Sequence, residues 1–195
     1  MKTYLALGDS YTIGEGVSIQ ESFPYILVQL LRKKGMDISA PEIVAKTGWT
    51  TGELQEAIKD LILPKKFDIV TLLIGVNNQY REGSQDEYAE QFEDLLKKAI
   101  RFSKTREEAV TVLSIPDWGV TPFAEGRNRE NIAKEIDSFN KLNKAITNKY
   151  NCAYIKITSG TRKAANDAAL IAPDKLHYSG IEHRRWAKMV EKMLN

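Results

Sequence analysis

The run from Phe67 to Ile74 constrains the fold more strongly than any other segment of this chain. Six of its eight residues are apolar, and the run stops at Gly75 and the polar pair Asn77-Asn78. A strand of this composition is typical of a sheet that is covered on both faces, and such sheets are usually parallel. Parallel neighbours are joined by crossover connections, which are generally helices. The segment therefore predicts an α/β protein.

The rest of the sequence alternates strand patterns with helix patterns. Four further apolar runs predict strands at residues 4–7, 43–45, 109–115 and 152–157. Five amphipathic segments predict helices that begin near Ser22, Thr50, Ser84, Ile132 and Ser179. Three of these segments carry a capping box, in which a Ser or Thr precedes a Glu by three residues, at Thr50, Ser84 and Ser179. We predict a doubly wound, five-stranded parallel sheet with helices on both faces, in a single domain spanning residues 1–195.

Charge and composition disfavour several classes of function. The chain has 28 Lys and Arg against 26 Asp and Glu, and the charges are interspersed. We therefore expect no nucleic-acid partner. The single cysteine, Cys152, forms neither an intramolecular disulfide nor a multi-cysteine metal site. Because the chain has no signal-peptide pattern and no run of about 18 apolar residues, we predict a cytoplasmic protein without a transmembrane segment.

Polar or glycine residues follow the ends of three predicted strands. Ser10 follows the first strand, Gly48 the second and Asn77 the third. The carboxyl ends of parallel strands meet at one edge of the sheet, where open α/β sheets bind ligands. A serine at this edge is a candidate nucleophile. The backbone N–H of Gly48 and the side-chain amide of Asn77 are candidate donors to a developing oxyanion.

A serine nucleophile requires a general base, and the chain has only two histidines. His183 lies inside the last predicted helix among charged neighbours, which predicts a solvent-exposed position. His177 precedes that helix and lies three residues after Asp174. We therefore predict that His177 is the base and that Asp174 orients its ring, as in a Ser-His-Asp triad.

These motifs, in this chain order, resemble those of the SGNH hydrolases, which are also called GDSL esterases and lipases. The Gly-Asp-Ser that ends at Ser10 resembles the block that carries the nucleophile of the family. The sequence Asp-Lys-Leu-His at residues 174–177 resembles the block that carries the acid and base, and Gly48 and Asn77 match the other two oxyanion donors. The resemblance spans residues 8–177 and implies a flavodoxin-like, three-layer α/β/α fold.

The resemblance implies a serine ester hydrolase that acts on a small-molecule ester and needs no cofactor or metal. In the implied reaction Ser10 attacks the ester carbonyl, His177 accepts the serine proton, and Asp174 stabilises the imidazolium. Two positions depart from the family pattern, with Tyr11 in place of leucine and Asn78 in place of aspartate. Neither departure removes a group that the reaction uses.

Candidate substrate contacts come from two loops. Trp118 and Phe123, in the loop after the fourth strand, are candidate walls of an acyl pocket. Tyr80 and Arg81, just beyond Asn77, are candidate contacts to a polar or anionic leaving group.

Two other functions are weighed against a serine hydrolase. The first is a non-catalytic, flavodoxin-like ligand-binding or interaction domain, although the chain has neither a Gly-x-Gly-x-x-Gly nor a Gly-Lys-Ser/Thr motif. The second is a cysteine hydrolase built on Cys152. It is disfavoured because Cys152 begins the fifth predicted strand, at the opposite edge of the sheet from Ser10.

Overall fold

Five parallel strands form one sheet in the computed structural model of this chain, which describes residues 1–59, 61, 63 and 66–194. The strands are β1 (Tyr4–Gly8), β2 (Glu42–Ala45), β3 (Ile69–Leu73), β4 (Val110–Leu113) and β5 (Ala153–Ile155). Their order across the sheet is β2-β1-β3-β4-β5, and every neighbouring pair is parallel. The predicted doubly wound parallel sheet is therefore confirmed.

Helices cover both faces of the sheet and give the three layers of an α/β/α fold. They are α1 (Ser10–Ile13), α2 (Phe23–Lys33), α3 (Thr51–Ala57), α4 (Val76–Tyr80), α5 (Gln85–Phe102), α6 (Arg129–Lys149), α7 (Thr158–Thr161) and α8 (Gly180–Met193). Helix α2 packs against α8, whereas α5 packs against α3 and α6. Within the described ranges, none of these helices is long and apolar enough to cross a membrane. The cytoplasmic location stays a prediction.

Helix α5 shows how the apolar pattern becomes a packed face. Its buried side chains include Tyr88, Phe92, Leu95, Leu96 and Ala99, which recur at spacings of three and four residues. These spacings place the side chains along one stripe of an α-helix. Helix α5 packs against β3, which is fully buried, so the apolar stripe of α5 faces the sheet.

The three predicted capping boxes have different outcomes. The box at Thr50 forms completely, since Thr50 Oγ1 accepts from the N–H of Glu53 and Glu53 Oε2 accepts from the N–H of Thr50. Ser84 makes only the first of these two bonds, to the N–H of Glu87. The box predicted at Ser179 is wrong, because the Ser179 hydroxyl donates instead to the carbonyl oxygen of Ala169.

Glu182 explains why that third box does not form. Its carboxylate is buried, accepts from Trp186 Nε1 at 3.0 Å and pairs with Arg185 Nη1 at 2.7 Å. A buried indole N–H needs a hydrogen-bond acceptor. The Glu182 carboxylate fills this role and is therefore not available to accept from the N–H of Ser179 at the helix terminus. The tertiary contact therefore overrides the local motif.

The prediction that His183 lies on an exposed face is also wrong. The side chain is fully buried where α8 packs on α2, and its Nδ1 accepts from the N–H of Phe23 at 3.2 Å. Its spacing to Trp186 and Val190 places it on the buried stripe of α8, despite its charged sequence neighbours. Burial, reinforced by the positive charge of a protonated His177, lowers the pKa of His183 from its usual 6.5 to about 3.

The reversal of strand order places the ends of β1 and β3 side by side. Gly8, the last residue of β1, pairs with Ala45 on one side and with Leu73 on the other. From β1 the chain runs outward to β2 and then returns across the sheet to β3, which makes this edge the topological switch point. A Cβ atom at Gly8 would lie 2.3 Å from the carbonyl oxygen of Leu73, so only glycine fits at this strand end.

Candidate active site

Ser10 lies just beyond the carboxyl end of β1, as the first residue of the one-turn helix α1. The preceding Asp9 is the N-cap, and its Oδ1 accepts from the N–H of Tyr11 at 3.0 Å. The N–H groups of the first helical residues have no intrahelical acceptor, so the N–H of Ser10 is available to a ligand. The side chain is only 4% exposed. The strand end and the cap together hold this serine in one position.

Asp9 is itself an unusual carboxyl group. Its Oδ2 is buried and has no hydrogen-bond partner among the described residues. Burial raises the pKa of Asp9 to about 7, although hydrogen bonds from backbone N–H groups, including that of Tyr11, oppose the shift. The group that caps the nucleophile helix is therefore mostly neutral in mildly acidic solution.

His177 brings the two ends of the chain together at Ser10. The distance from His177 Nε2 to Ser10 Oγ is 3.0 Å, although the two residues are 167 positions apart in sequence. The imidazole is buried and meets the ring of Tyr11 edge-on, with 5.3 Å between ring centroids. A base at hydrogen-bond distance from a serine hydroxyl has the geometry that proton abstraction requires.

Asp174 holds the other side of the imidazole. Its Oδ2 lies 2.6 Å from His177 Nδ1, and its Oδ1 accepts from the N–H groups of Leu176 at 3.0 Å and His177 at 2.9 Å. Partial burial raises the pKa of Asp174, but these hydrogen bonds and the charge of a protonated His177 outweigh it and hold the pKa below its usual value. The carboxylate is therefore ionised at neutral pH and suited to orient the ring.

The two predicted oxyanion donors lie beyond the ends of two strands, Gly48 in the turn after β2 and Asn77 in the short helix α4 after β3. Asn77, in α4, donates from Nδ2 to the carbonyl oxygen of Trp49 at 2.9 Å, which leaves its second amide hydrogen available. Gly48 has the left-handed backbone conformation, with φ at 83°, and its carbonyl oxygen accepts from Arg81 Nη2 at 2.7 Å. Asn77 lines the cavity at Ser10, whereas Gly48 does not.

The residues after Asn77 have structural contacts. Asn78 is buried, and its side-chain amide accepts from the N–H of Thr51 at 3.0 Å and donates to Thr51 Oγ1 at 2.7 Å. It therefore ties α4 to the start of α3. Arg81 is outside the cavity and pairs with Glu53 at 3.2 Å. The hypothesis that Arg81 contacts the leaving group is not supported by this position.

A cavity of about 200 Å³ opens beside Ser10 and His177. Its lining residues are Ser10, Tyr11, Val76, Asn77, Tyr80, Trp118, Phe123, Leu176 and His177. Three of the four candidate substrate contacts, the aromatic residues Tyr80, Trp118 and Phe123, are therefore at the cavity. Val76 and Leu176 were not predicted, although each is the immediate neighbour of a motif residue. That adjacency was the only sequence signal for them.

Cys152 is remote from this cavity. It lies just before β5, at the amino end of the strand, and is only 7% exposed. Burial, reinforced by the negative charge of Glu107, raises the pKa of the Cys152 thiol to about 11. A thiol of this kind is a poor nucleophile at neutral pH. Among the described residues, no group of three or more His, Cys, Asp or Glu side chains is arranged to hold a metal ion.

A comparison with models of protein families identifies the class to which this chain belongs. Residues 6–185 match the model of the GDSL-like lipase/acylhydrolase family. The chain belongs to this family and is an ester hydrolase, which confirms the resemblance to the SGNH hydrolases and favours an enzyme over a non-catalytic binding domain.

Solved structures with the same fold include several esterases. TesA is 18% identical, with a TM-score of 0.77, and the match covers 100% of this chain and 98% of TesA. Axe2, an acetylxylan esterase from Geobacillus stearothermophilus, is 18% identical, with a TM-score of 0.77 over 100% and 94% of the two chains. The psychrotrophic esterase EstA from Pseudoalteromonas sp. is 16% identical, with a TM-score of 0.74 and complete coverage of both chains. A search of curated protein sequences finds no match.

Proposed function

We propose that the chain hydrolyses carboxylic esters of short acyl groups through a Ser10-His177-Asp174 triad. The observation that carries the proposal is the continuous contact of the three side chains, 3.0 Å from Ser10 Oγ to His177 Nε2 and 2.6 Å from His177 Nδ1 to Asp174 Oδ2. We also propose that residues 1–195 form one hydrolase domain. The one sheet and the one cluster of buried apolar residues that the described part of the chain forms support this reading.

The reaction has two acyl-transfer steps. In the first, His177 Nε2 accepts the proton of Ser10 while Oγ forms a bond to the ester carbonyl carbon. The carbon–oxygen bond to the alcohol then breaks, and the imidazolium protonates the departing alkoxide. In the second step, water loses a proton to His177 while its oxygen attacks the carbonyl carbon of the acyl-serine. The bond from that carbon to Ser10 Oγ then breaks, and the imidazolium returns the proton to Oγ as the acid is released. Asp174 keeps the imidazole in the tautomer that exposes an acceptor at Nε2.

Negative charge develops on the carbonyl oxygen in both steps. The N–H of Ser10, the N–H of Gly48 and the second amide hydrogen of Asn77 are the proposed donors. The bond from Asn77 to the carbonyl oxygen of Trp49 supports this role, because it fixes the amide beside the residue that follows Gly48. Donors held in place before the reaction stabilise the oxyanion without reorganisation in the transition state.

Cavity size and lining favour a short acyl group. At about 200 Å³ the cavity is little larger than an engineered apolar cavity of ~150 Å³ that holds benzene, and smaller than the ~300–1,000 Å³ of sites for drug-sized ligands. Its walls away from the triad are mainly apolar side chains, which match a hydrocarbon chain better than a sugar. Axe2, whose name assigns it an acetyl ester, has the same fold.

Hydrolysis of p-nitrophenyl acetate, butyrate and hexanoate tests the nucleophile. We expect Ser10→Ala to lower kcat by at least about 10⁴-fold, as losses of serine nucleophiles do, and a fluorophosphonate to label Ser10 in the parent. Ser138→Ala, at a serine on α6 that does not line the cavity, is the matched control and should retain parental activity. Activity that persists in Ser10→Ala at the parental level would refute the proposal.

Asn77→Ala tests the oxyanion donors. We expect kcat to fall by about 10²–10³-fold with a smaller change in KM, because the lost hydrogen bond acts mainly in the transition state. Asn148→Ala, at an exposed position near the end of α6, controls for the substitution itself. Equal kcat values for Asn77→Ala and the parent would remove Asn77 from the proposed oxyanion hole.

A further inference from the structure

A second cavity shares part of its lining with the first. It has a volume of about 210 Å³, and its walls include Gln79, Arg127, Asn131 and Glu135. The two cavities share the side chains of Tyr80 and Trp118. These two rings are therefore a partition between the cavity that holds Ser10 and a second space of similar size.

Trp118 is the fixed half of this partition. It is only 3% exposed, and its Nε1 donates to Gln79 Oε1 at 2.7 Å. Gln79 in turn donates from Nε2 to Glu135 Oε2 at 2.8 Å, which ties the indole to α6. A buried indole in a hydrogen-bonded chain of this kind has one low-energy position.

Tyr80 is the exposed half of this partition. The residue is 41% exposed, and its hydroxyl accepts a hydrogen bond from Arg127 Nη2 at 3.3 Å. Its ring contacts Trp118 edge-on at 5.3 Å between centroids and Phe123 at 6.3 Å. Because the ring is partly exposed, we expect its removal to change the cavity without disturbing the buried core.

Arg127 closes the partition from the outside. Its guanidinium carbon lies 5.3 Å from the ring centroids of Tyr80 and Trp118 and 5.4 Å from that of Phe123. Each distance is within the range of a favourable cation–π contact. Arg127 also makes no ion pair with a carboxylate among the described residues, so the three rings are its main neighbours.

We infer that Tyr80 is the specificity-determining residue that limits acyl-chain length, because its ring separates the cavity at Ser10 from the second cavity. The inference rests on the proposed function, in which the acyl group occupies the first cavity. An acyl chain longer than the first cavity would have to displace a ring that Arg127 holds against Trp118. Without that ring, the two spaces join, and the tail of a six-carbon acyl group can lie against Trp118 and Ile132, the apolar members of a second-cavity lining that is otherwise mostly polar.

Tyr80→Ala tests the inference through the ratio of kcat/KM for p-nitrophenyl hexanoate to that for the acetate. We expect the ratio to rise by about ten- to a hundredfold over that of the parent, the range to which overpacking penalties correspond. Arg127→Ala should raise the ratio by less, because the Tyr80 ring stays in place and loses only its contact with the guanidinium group. A ratio of rates within one protein is insensitive to a general loss of active enzyme.

A second substitution tests whether the second cavity is the space that opens. Asn131 is an exposed residue of that cavity, and Asn131→Phe in the Tyr80→Ala background would fill it with an aromatic ring. We expect the hexanoate-to-acetate ratio to return to within about threefold of the parental value. Tyr25→Ala is the matched control, because Tyr25 lies on α2 and lines neither cavity. It should leave the ratio unchanged.

The outcomes separate this inference from the proposed function. If Tyr80→Ala hydrolyses the acetate in a Ser10-dependent manner but its ratio stays within threefold of the parent's, the partition is refuted and the serine mechanism stands. The same holds if Asn131→Phe leaves the raised ratio unchanged. If the parent hydrolyses none of these esters faster than Ser10→Ala does, the proposed function is refuted and the inference with it.

Discussion

Gly16 provides a test of how strictly turnover depends on the position of Asp174. A Cβ atom at Gly16 would lie 2.9 Å from Asp174 Oδ2 and 2.9 Å from the Cβ of Ala172. Asp174 Oδ2 is the atom that contacts His177 Nδ1. To restore an ordinary contact of 3.4 Å, the carboxylate must retreat by about 0.5 Å. The substitution Gly16→Ala therefore acts on the proposed triad through one added methyl group.

The expected effect follows from that displacement. A misplacement of ~1 Å in a catalytic arrangement costs about 10²-fold in rate, so we expect Gly16→Ala to lower kcat by about tenfold with little change in KM. The backbone adds a second cost, because Gly16 has φ at 81°, where an alanine is strained by ~1–2 kcal/mol. That strain lowers stability but has no direct bearing on the imidazole.

Gly35→Ala separates the two effects. Gly35 has nearly the same backbone conformation, with φ at 84°, but nothing lies within 4 Å of a Cβ built there. Both variants should lose stability in urea unfolding, whereas only Gly16→Ala should lose kcat in steady-state assays with p-nitrophenyl acetate. If kcat for Gly16→Ala stays within twofold of that for Gly35→Ala, Asp174 tolerates the displacement and the reasoning fails.

Two further predictions concern buried titratable groups. Because the folded-state pKa of His183 is about 3, below its usual 6.5, the unfolded chain binds a proton that the folded chain does not bind between these pH values. Relative to His183→Asn, the parent should therefore lose unfolding free energy on acidification from pH 6.5 to 4.5 in urea titrations, by up to about 1.4 kcal/mol per pH unit; a constant difference would show that folding does not lower the pKa of His183. Since burial raises the pKa of Cys152 to about 11, its thiol should react with a disulfide reagent at pH 8 at least tenfold more slowly than a free thiol, and Cys152→Ala should keep its esterase activity within about twofold.

The sheet was predictable because its signal is contained in short segments. Each strand is an apolar run that ends at a turn residue, and the helices between them have long amphipathic stripes. The candidate site residues were predictable for a related reason. Parallel strands place their carboxyl ends at one edge of the sheet. Residues that follow those ends, such as Ser10 and Asn77, therefore lie near each other, and the lengths of the connecting segments do not change this.

Other features had no comparable signal. The one-turn helices α1 and α4 have too few residues to show a period, and their positions depend on the caps and on the sheet edge. The burial of His183 depends on which stripe of α8 faces α2. The charged sequence neighbours of His183 made its side of the helix look exposed in the sequence. Arg127 occupies an unremarkable loop in the sequence, and its contact with three aromatic rings exists only once the loop after β4 has folded back over α4.

The proposed triad combines two locally determined parts with one long-range contact. Asp174 and His177 are three residues apart, and the backbone hydrogen bonds of Asp174 Oδ1 set their mutual geometry within the loop. Ser10 is positioned by β1 and the Asp9 cap, and the contact from His177 Nε2 to Ser10 Oγ joins the two parts across the tertiary structure.

Three aromatic side chains hold that long-range distance. Tyr11, which follows Ser10, packs against Tyr178, which follows His177, at 6.0 Å between ring centroids. Trp186 of α8 contacts both rings, at 6.3 Å and 5.8 Å. Each tyrosine is covalently adjacent to a triad residue. The packing of the two rings therefore constrains the positions of Ser10 and His177 relative to each other. The departure from the family pattern at Tyr11 thus has a structural role, since the larger aromatic side chain reaches both His177 and Trp186 and joins the two halves of the site.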